Sequence, residues 1–161
     1  MRTINIICVG NLKEKYLRDA AAEYEKRLSA YCKLKITELN EYKLPDKPSP
    51  SEIAKCIEAE GAAIAAKIPQ NAVIAAMCIE GEMLSSESFS QKLENLMSDE
   101  SASELCFIIG GSYGLSDEIK KRAKLKLSLS RMTFTHQISR VLILEQIYRA
   151  FQISTGGKYH K

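Results

Sequence analysis
The segment GGSYG, residues 110–114, is the part of the chain whose residue types most directly suggest a ligand site. Gly110 and Gly111 permit a sharp turn and let a ligand approach the backbone closely. The residues that follow begin a predicted helix, whose first N–H groups have no partner within the helix and can face a ligand. The segment lacks the G-x-G-x-x-G pattern and a P-loop lysine, so it does not favour a dinucleotide or triphosphate site. A glycine turn that only reverses the chain is the alternative.

Ser112 occupies the central position of a G-x-S-x-G pattern in the same segment, which is typical of a serine nucleophile followed by its acid and its histidine. Glu145 and His160 follow in that order. Glu145, however, lies four residues before Arg149 in a predicted helix, where an ion pair between the two is the simpler explanation. A small serine hydrolase that uses Ser112 is therefore the weaker alternative.

The histidines and cysteines do not indicate a metal site. His136 and His160 are the two histidines, and no cysteine lies near either of them in the sequence. The five cysteines are widely spaced and form no Cys-x-x-Cys pair, so we expect reduced, buried thiols and no metal.

The basic residues are concentrated in the last part of the chain. Residues 1–118 contain 13 basic and 19 acidic residues, a net charge of −6, whereas residues 119–161 contain 10 basic and 1 acidic, a net charge of +9. Interleaved tyrosines and histidines make this segment suitable for phosphate contacts and base stacking. A solvated basic helix over residues 120–126 is the alternative. The basic residues are Lys120, Lys121, Arg122, Lys124, Lys126, Arg131, Arg140, Arg149, Lys158 and Lys161.

Hydrophobic periodicity predicts strands and helices that alternate along the whole chain. The predicted fold is therefore α/β, a mostly parallel sheet with helices on both faces, in a single domain over residues 1–161. Ser49, Pro50 and Glu52 form a capping-box pattern, and Ser116 is a second predicted cap. The predicted strands cover residues 3–9, 32–39, 72–79, 104–109 and 126–130, and the predicted helices cover 14–30, 50–67, a segment carrying Phe89 to Met97, 117–124 and 137–154.

The composition favours a soluble protein of the cytoplasm. The chain has 161 residues, of which 45% are hydrophobic and 27% charged. The longest apolar run, residues 72–79, is far shorter than the roughly 20 residues that cross a bilayer. The first ten residues lack the apolar stretch of a secretory signal, so neither a membrane location nor export is expected.

The last predicted helix is apolar on more than one side, from Ile138 to Ile153. We expect one side to pack on the sheet and the other on a second subunit, which predicts a homodimer. A helix buried within one chain is the alternative.

The loops after the third, fourth and fifth strands are the predicted ligand-binding loops, since ligands of open α/β sheets bind beyond the carboxyl ends of the strands. These loops belong to four longer stretches of sequence that together resemble the RlmH family, SPOUT-class methyltransferases that methylate N3 of a pseudouridine in large-subunit (23S) ribosomal RNA. The resemblance spans essentially the whole chain, and the block that ends in Tyr-His is its most specific part. The stretches are CVGNLKEKYL, IEGEMLSSE, IGGSYGLSDEI and LSLSRMTFTHQISRVLILEQIYRAFQISTGGKYHK.

The resemblance implies a C-terminal trefoil knot that holds the methyl donor, S-adenosylmethionine, at the interface of a homodimer. One departure is Thr135, because many relatives have proline before the histidine; threonine is expected to loosen that turn without removing a ligand group. The implied donor-binding residues are Met77, Gly110, Leu129, Ser130, Arg131, Met132, Thr133 and Phe134.

The implied reaction transfers a methyl group in line to a ring nitrogen that must lose its proton. A base, or a cation that stabilises the imide anion, would help this step. The candidates are His160, Tyr159 and Arg140, and the partner is 23S rRNA within the large subunit or the assembled ribosome. A non-catalytic RNA-binding protein with the same fold remains an alternative from another functional class.

Overall fold
The protein is described here by a computed structural model that covers residues 1–160, so the basic residue Lys161 lies outside the described part. Five strands and five helices alternate along these residues, as the sequence predicts. They are β1 (Thr3–Val9), α1 (Lys15–Leu28), β2 (Lys33–Leu39), α2 (Pro50–Lys67), β3 (Val73–Met83), α3 (Ser86–Met97), β4 (Leu105–Ile109), α4 (Asp117–Arg122), β5 (Leu125–Ser128) and α5 (His136–Ser154).

The strands form one sheet in the order β2-β1-β4-β3-β5, and every neighbouring pair is parallel. The central strands β1 and β4 are buried almost throughout, as expected for strands covered on both faces. Strand β2 lies at an edge and alternates between exposed and half-buried residues. The alternation of lysines with Leu34 and Ile36 in the sequence is typical of a strand with one solvated side or of an edge strand.

Helices cover both faces of the sheet, which confirms the predicted fold class. On one face α1, α3 and α5 pack over Ile6, Phe107 and Leu125; on the other, α2 and α4 pack over Ile7 and Ile108. The predicted capping box of α2 is present, with Ser49 accepting from the N–H of Glu52 and the Glu52 side chain accepting from the N–H of Ser49. Ser116 likewise caps α4.

Strand β3 is longer than the sequence predicts. Its first part pairs with β5 up to Met77; the pairing then shifts and resumes at Glu82 and Met83. Between these points the two backbones lie so close that a side chain on Gly81 would come within 2.6 Å of the Lys126 backbone. The extension, residues 80–83, is mostly exposed and contains two glutamates, so the sequence has no apolar run there that would predict a strand.

Helix α5 is covered by its own chain to a greater extent than predicted. It lies between α1 and α3 and also contacts β1 and β4, and no residue from Ser139 to Ile153 is exposed. Apolar residues such as Leu142 and Ile153 are only half-buried on this helix, and the expected contact of its outer side with a second subunit stays a prediction. The pattern of apolar residues in a helix shows which sides are buried, but not whether a helix of the same chain or a second subunit covers them.

Residues 129–135 connect β5 at one edge of the sheet to α5 against β1 and β4, so they pass the ends of β3 and β4. The trefoil knot implied by the family resemblance involves this connection and stays a prediction. Among the helices within residues 1–160, none is long and apolar enough to cross a membrane.

Candidate active site
The carboxyl ends of β3, β4 and β5 surround one cavity of about 750 Å³. This size lies within the range of small-molecule and cofactor sites. Of the eight residues predicted to bind the donor, Arg131 alone is not among those lining the cavity. The seven that line it are Met77, Gly110, Leu129, Ser130, Met132, Thr133 and Phe134.

The glycine loop after β4 forms one wall of the cavity and is tightly folded. The N–H of Gly114 donates to the carbonyl of Gly111 at 3.1 Å, and Gly114 has a φ of 82°. A side chain on Gly110 would come within 2.9 Å of the Gly114 carbonyl oxygen. The turn therefore requires glycine at position 110 for its own packing, and it also presents bare backbone to the cavity.

The buried Glu60 of α2 lies against the glycine loop, and the sequence alone does not identify it as a buried residue. One of its carboxylate oxygens accepts from the N–H of Tyr42 at 3.1 Å. Its other oxygen would lie 2.8 Å from a side chain on Gly111 and has no hydrogen-bond partner within residues 1–160. A lone glutamate in an amphipathic helix is typical of a solvated face, so only the fold shows that it is buried.

The loop after β5 forms the opposite wall. Its conformation is fixed by Ser128, whose hydroxyl donates to the carbonyl of Ser130 at 2.9 Å, and by Ser130, whose hydroxyl accepts from the N–H of Met132 at 3.0 Å. The Met132 and Phe134 side chains are 75% and 40% exposed. Together with the half-buried Met77 and Leu129 they give the cavity apolar walls.

Helix α5 begins at the edge of the same cavity. Thr135 caps it by accepting from the N–H of Ile138 at 3.3 Å, so threonine here stabilises the helix start that it was expected to loosen. His136 and Gln137 also line the cavity. His136 Nε2 lies 3.2 Å from Glu41 Oε1, a contact that the sequence could not indicate because the two residues are far apart in the chain.

Arg140 does not line the cavity. It is 4% exposed, and its guanidinium donates to the Glu38 carboxylate at 2.7 Å and to the Gly10 carbonyl at 2.9 Å. Within one chain this side chain therefore joins α5 to the ends of β1 and β2 at the carboxyl edge of the sheet.

The tail residues Tyr159 and His160 also lie away from the cavity of their own chain. The Tyr159 hydroxyl lies 3.3 Å from that of Tyr24 and donates to Glu145 at 3.2 Å, while the Arg149 guanidinium lies 4.6 Å from the centre of its ring. The hydrogen bond with Tyr24, burial and the Glu145 charge raise the pKa of Tyr159 to about 12. Tyr159 is thus a neutral phenol near pH 7.

His160 is held between two charged side chains. Its Nε2 lies 2.7 Å from Glu87 Oε1, and its Nδ1 lies 3.3 Å from Arg149 Nη1. A neutral imidazole satisfies both contacts if Nε2–H donates to Glu87 and Nδ1 accepts from Arg149. The Glu87 N–H and His160 both hydrogen-bond to the Glu87 carboxylate and lower its pKa.

Several charges of the basic C-terminal segment are neutralised by acidic residues of the first 118 positions. Lys120 lies 2.5 Å from Glu80 at the cavity, Lys124 lies 3.6 Å from Asp99, and Arg140 pairs with Glu38. Arg149 pairs with Glu145, as its spacing predicted. Within residues 119–160 the basic side chains with no ion-pair partner in the described chain are Lys121, Arg122, Lys126, Arg131 and Lys158.

The residues of the hydrolase alternative are not brought together. Ser112 is exposed at the cavity, while Glu145 binds Arg149 and Tyr159 and His160 binds Glu87. Along the described 160 residues, no hydrogen bond links Ser112 to His160. The serine therefore has neither a base nor an oriented acid.

Cys78 is the one cysteine of the five that is not buried, and it lines the cavity. Burial and the neighbouring Glu80 raise its pKa, so it is a weak nucleophile at neutral pH.

Across residues 1–160 no group of three or more histidine, cysteine, aspartate or glutamate side chains could hold a metal ion.

Comparison with known proteins gives one family for nearly the whole chain. The profile of a family described as "Predicted SPOUT methyltransferase" matches residues 1–160. Ribosomal RNA large subunit methyltransferase H of Clostridium acetobutylicum is 50% identical over 158 residues, which cover 98% of this chain and 99% of that protein. The proteins of the same name from Clostridioides difficile and Streptococcus pneumoniae are 49% and 48% identical over the same coverage.

A solved structure shares the fold. A probable methylase family protein from Haemophilus influenzae superimposes with a TM-score of 0.55 at 11% identity, over 98% of this chain and 70% of that one.

Proposed function
The chain belongs to the SPOUT methyltransferase family, and from this premise we propose that it methylates N3 of a pseudouridine in large-subunit (23S) ribosomal RNA with S-adenosylmethionine as donor. The relatives that are about half identical over their full length are named as methyltransferases of large-subunit ribosomal RNA. The observation that carries the proposal is that one cavity is lined by seven of the eight residues that the family resemblance implies for the donor.

The residues around the cavity fit this donor. Apolar side chains from the β3 and β5 ends, Met77, Leu129 and Phe134, can enclose the faces of the adenine ring. The loop backbone at Gly110, which has no side chain, lets a charged sulfonium approach closely. When bound, S-adenosylmethionine would supply a methyl group activated by its positively charged sulfur, which would leave as a neutral thioether. The chain itself must bind the donor, orient the base and accommodate the proton that leaves N3.

Tyr159 and His160 are proposed to act on the substrate in different ways. With its pKa at about 12, Tyr159 keeps its proton, and it can donate a hydrogen bond to a carbonyl of the base once it gives up its bond to Glu145. His160 is oriented by Glu87 and can accept a proton at Nδ1 only after giving up its contact with Arg149. Arg140 is proposed to position the β1 and β2 ends, since its guanidinium is already bound to Glu38 and Gly10.

We propose that a homodimer completes the site. The tail does not line the cavity of its own chain, so it can reach a substrate only at the cavity of a partner or after rearrangement. Exposed apolar side chains lie around this cavity and suit a protein contact. They are Ile79, Met83, Met132, Phe134 and Ile138, with exposures of 40% to 75%. The proposed interface thus lies at the cavity rim and the first turn of α5.

The proposed partner is the ribosome, which places the protein in the cytoplasm. The basic residues without acidic partners, among them Lys121, Arg122 and Lys126 near β5, offer contacts to phosphates. A non-catalytic RNA-binding protein would share this charge but would not need an intact donor cavity.

Purified protein, radiolabelled S-adenosylmethionine and ribosomal particles that lack the modification test the proposal. We expect transfer to large subunits or assembled ribosomes and measurable donor binding by calorimetry. Binding to ribosomes without donor binding would favour the non-catalytic alternative. Donor binding without transfer to large subunits, ribosomes or free 23S rRNA would contradict the proposed substrate.

A further inference from the structure
We propose that the loop between β1 and α1, together with the first turn of α1, forms a second contact for the RNA strand. In this contact Tyr16 stacks on a base and Lys13 binds a phosphate. The inference rests on the proposed function and names a surface of this chain that would hold the same substrate. We refer to residues 11–16 as the α1 entrance.

The α1 entrance adjoins the cavity. Strand β1 ends at the same edge of the parallel sheet as β3, β4 and β5, so the loop that follows it lies on the same side of the molecule. The N–H of Lys13 donates to Gln137 Oε1 at 3.0 Å, and Gln137 lines the cavity. An RNA strand whose target base enters the cavity therefore passes within reach of this loop.

Tyr16 is 69% exposed, more than any other tyrosine of the chain. Four other tyrosines pack against one another or against Phe151 between α1, α5 and the tail, namely Tyr24, Tyr31, Tyr148 and Tyr159. Tyr16 lies on the same helix as Tyr24 but takes no part in this cluster. An exposed aromatic ring beside lysines can stack on an unpaired base, whichever base it is.

The backbone of the α1 entrance is already ordered. Arg18 donates to the carbonyls of Leu12 and Lys13 at 3.2 Å and 2.6 Å, and the Leu12 side chain is buried. Binding would therefore order only side chains, which lowers the entropic cost of a contact.

The charges of this surface favour RNA over a protein partner. Residues 11–19 carry three basic side chains, Lys13, Lys15 and Arg18, against the exposed Glu14 and Asp19, a net charge of +1. Lys13 has no ion-pair partner within residues 1–160, while Lys15 is paired with Asp19 at 2.6 Å. Tyr16 is the one large hydrophobic side chain that is exposed within residues 11–19, whereas a stable protein interface needs a buried apolar centre. Lys13 is thus the expected phosphate contact and Tyr16 the expected stacking platform.

The experiment compares Tyr16→Ala, Tyr16→Phe and Lys13→Ala with the wild type. Lys67→Ala is the matched control. Lys67 is exposed at the last residue of α2, just before the amino end of β3, whereas the cavity lies at the carboxyl ends of the strands. Steady-state methylation of ribosomes, donor binding by calorimetry, ribosome binding by co-sedimentation and oligomeric state by light scattering are measured for each variant. Co-sedimentation reads the surface directly, independently of catalysis.

We expect Tyr16→Ala to raise KM and the dissociation constant for ribosomes about tenfold, with unchanged donor affinity and oligomeric state. Tyr16→Phe should retain most of the affinity, because the ring remains. Lys13→Ala should weaken ribosome binding and reduce its salt dependence by about one counterion.

Unchanged ribosome binding by Tyr16→Ala would overturn the inference, as would a change in oligomeric state, which would identify a protein interface. If wild-type protein binds ribosomes but does not methylate them, the proposed function fails, while co-sedimentation of the variants still decides this inference.

Discussion
At position 110, both the packing of the loop and the proposed binding of the donor require a residue without a side chain. A side chain there would come within 2.9 Å of backbone atoms of Gly114 and 3.0 Å of Leu115, so the loop would have to shift. We expect Gly110→Ala to raise the dissociation constant for S-adenosylmethionine about tenfold, as measured by calorimetry.

Ser112→Ala is the matched control on the same loop. Ser112 is exposed, and replacing it should leave donor binding and methyl transfer near wild-type values. A loss of activity in Ser112→Ala together with full activity in Gly110→Ala would contradict the assignment of this loop and would favour the hydrolase alternative.

Arg140 is the second residue for which a single substitution separates two roles. Removing its guanidinium leaves the Gly10 carbonyl without its donor and Glu38, whose side chain is 45% exposed, without its partner. We expect Arg140→Gln to lower the free energy of unfolding by about 2 kcal/mol and Tm by roughly 6 °C. Differential scanning calorimetry measures both.

Arg131→Ala serves as the control for Arg140, because Arg131 is exposed and has no ion-pair partner in the described chain. Its Tm should not change. If Arg140→Gln instead abolished methyl transfer with an unchanged Tm, Arg140 would act on the substrate and the structural role would be wrong.

At the residue scale, the sequence predicts backbone requirements better than side-chain partners. Gly110 is recognisable because few residues allow such a turn after a buried strand. The roles of Arg140 and His136 are not recognisable in this way, because their partners Glu38 and Glu41 are distant from them in the sequence. A polar side chain acquires its role from neighbours that only tertiary structure supplies.

At the scale of elements, the tail after α5 is the segment whose removal should separate binding from transfer. Tyr159 and His160 are outside the donor cavity of their own chain. Deleting residues 158–161 should therefore reduce the rate of methyl transfer about 100-fold or more, while the donor dissociation constant stays within about threefold, a change below 1 kcal/mol.

Lys158→Ala in the full-length chain is the control for this deletion. It removes one basic side chain but keeps the contacts of Tyr159 and His160, so transfer should fall only slightly. Equal losses of donor binding and transfer in the deletion variant would show that the tail stabilises the site generally and has no separate role toward the substrate.

Most elements could be predicted because burial leaves a periodic trace in the sequence. The buried strands β1 and β4 and the capped helix α2 have the predicted bounds within a residue. The extension of β3 could not be predicted, since it is exposed and its pairing with β5 depends on close contact at Gly81. Part of the cover of α5 comes from α1 and α3 of the same chain, which the apolar residues of the sequence alone do not distinguish from a second subunit.

At the scale of the whole molecule, buried thiols make stability depend on alkaline pH. Burial raises the pKa of Cys8 and Cys32 to about 11 and that of Cys106 to about 12, from an ordinary value of 9.0. The unfolded chain therefore loses these protons first as the pH rises. Their contribution to stability is complete below pH 9 and falls between pH 9 and the folded pKa values.

We expect the free energy of unfolding to fall by about 4 kcal/mol between pH 8 and pH 10, measured by urea unfolding at each pH. Cys106→Ala should lose about a third of the part that Cys8, Cys32 and Cys106 contribute, because these three thiols have similar shifts. A free energy of unfolding that does not change over this range would contradict the burial of these thiols.

The distribution of charge is also a property of the whole molecule. The basic C-terminal segment is evident from the sequence, but folding brings Lys120, Lys124 and Arg140 against acidic residues of the first 118 positions. The basic surface available to RNA is therefore smaller than the count of residues indicates. The cavity itself could be located from the sequence, because the ends of neighbouring parallel strands meet at one edge of the sheet.

The central claim is that this chain transfers a methyl group to N3 of a pseudouridine in large-subunit rRNA. The most direct measurement is nucleoside mass spectrometry of rRNA from ribosomes that lack this methyl group, after incubation with the protein and S-adenosylmethionine. Ribosomes in which the target uridine has not been converted to pseudouridine provide the blank. We expect one N3-methylated pseudouridine per large subunit. No methylated pseudouridine, from folded protein that binds the donor, would contradict it.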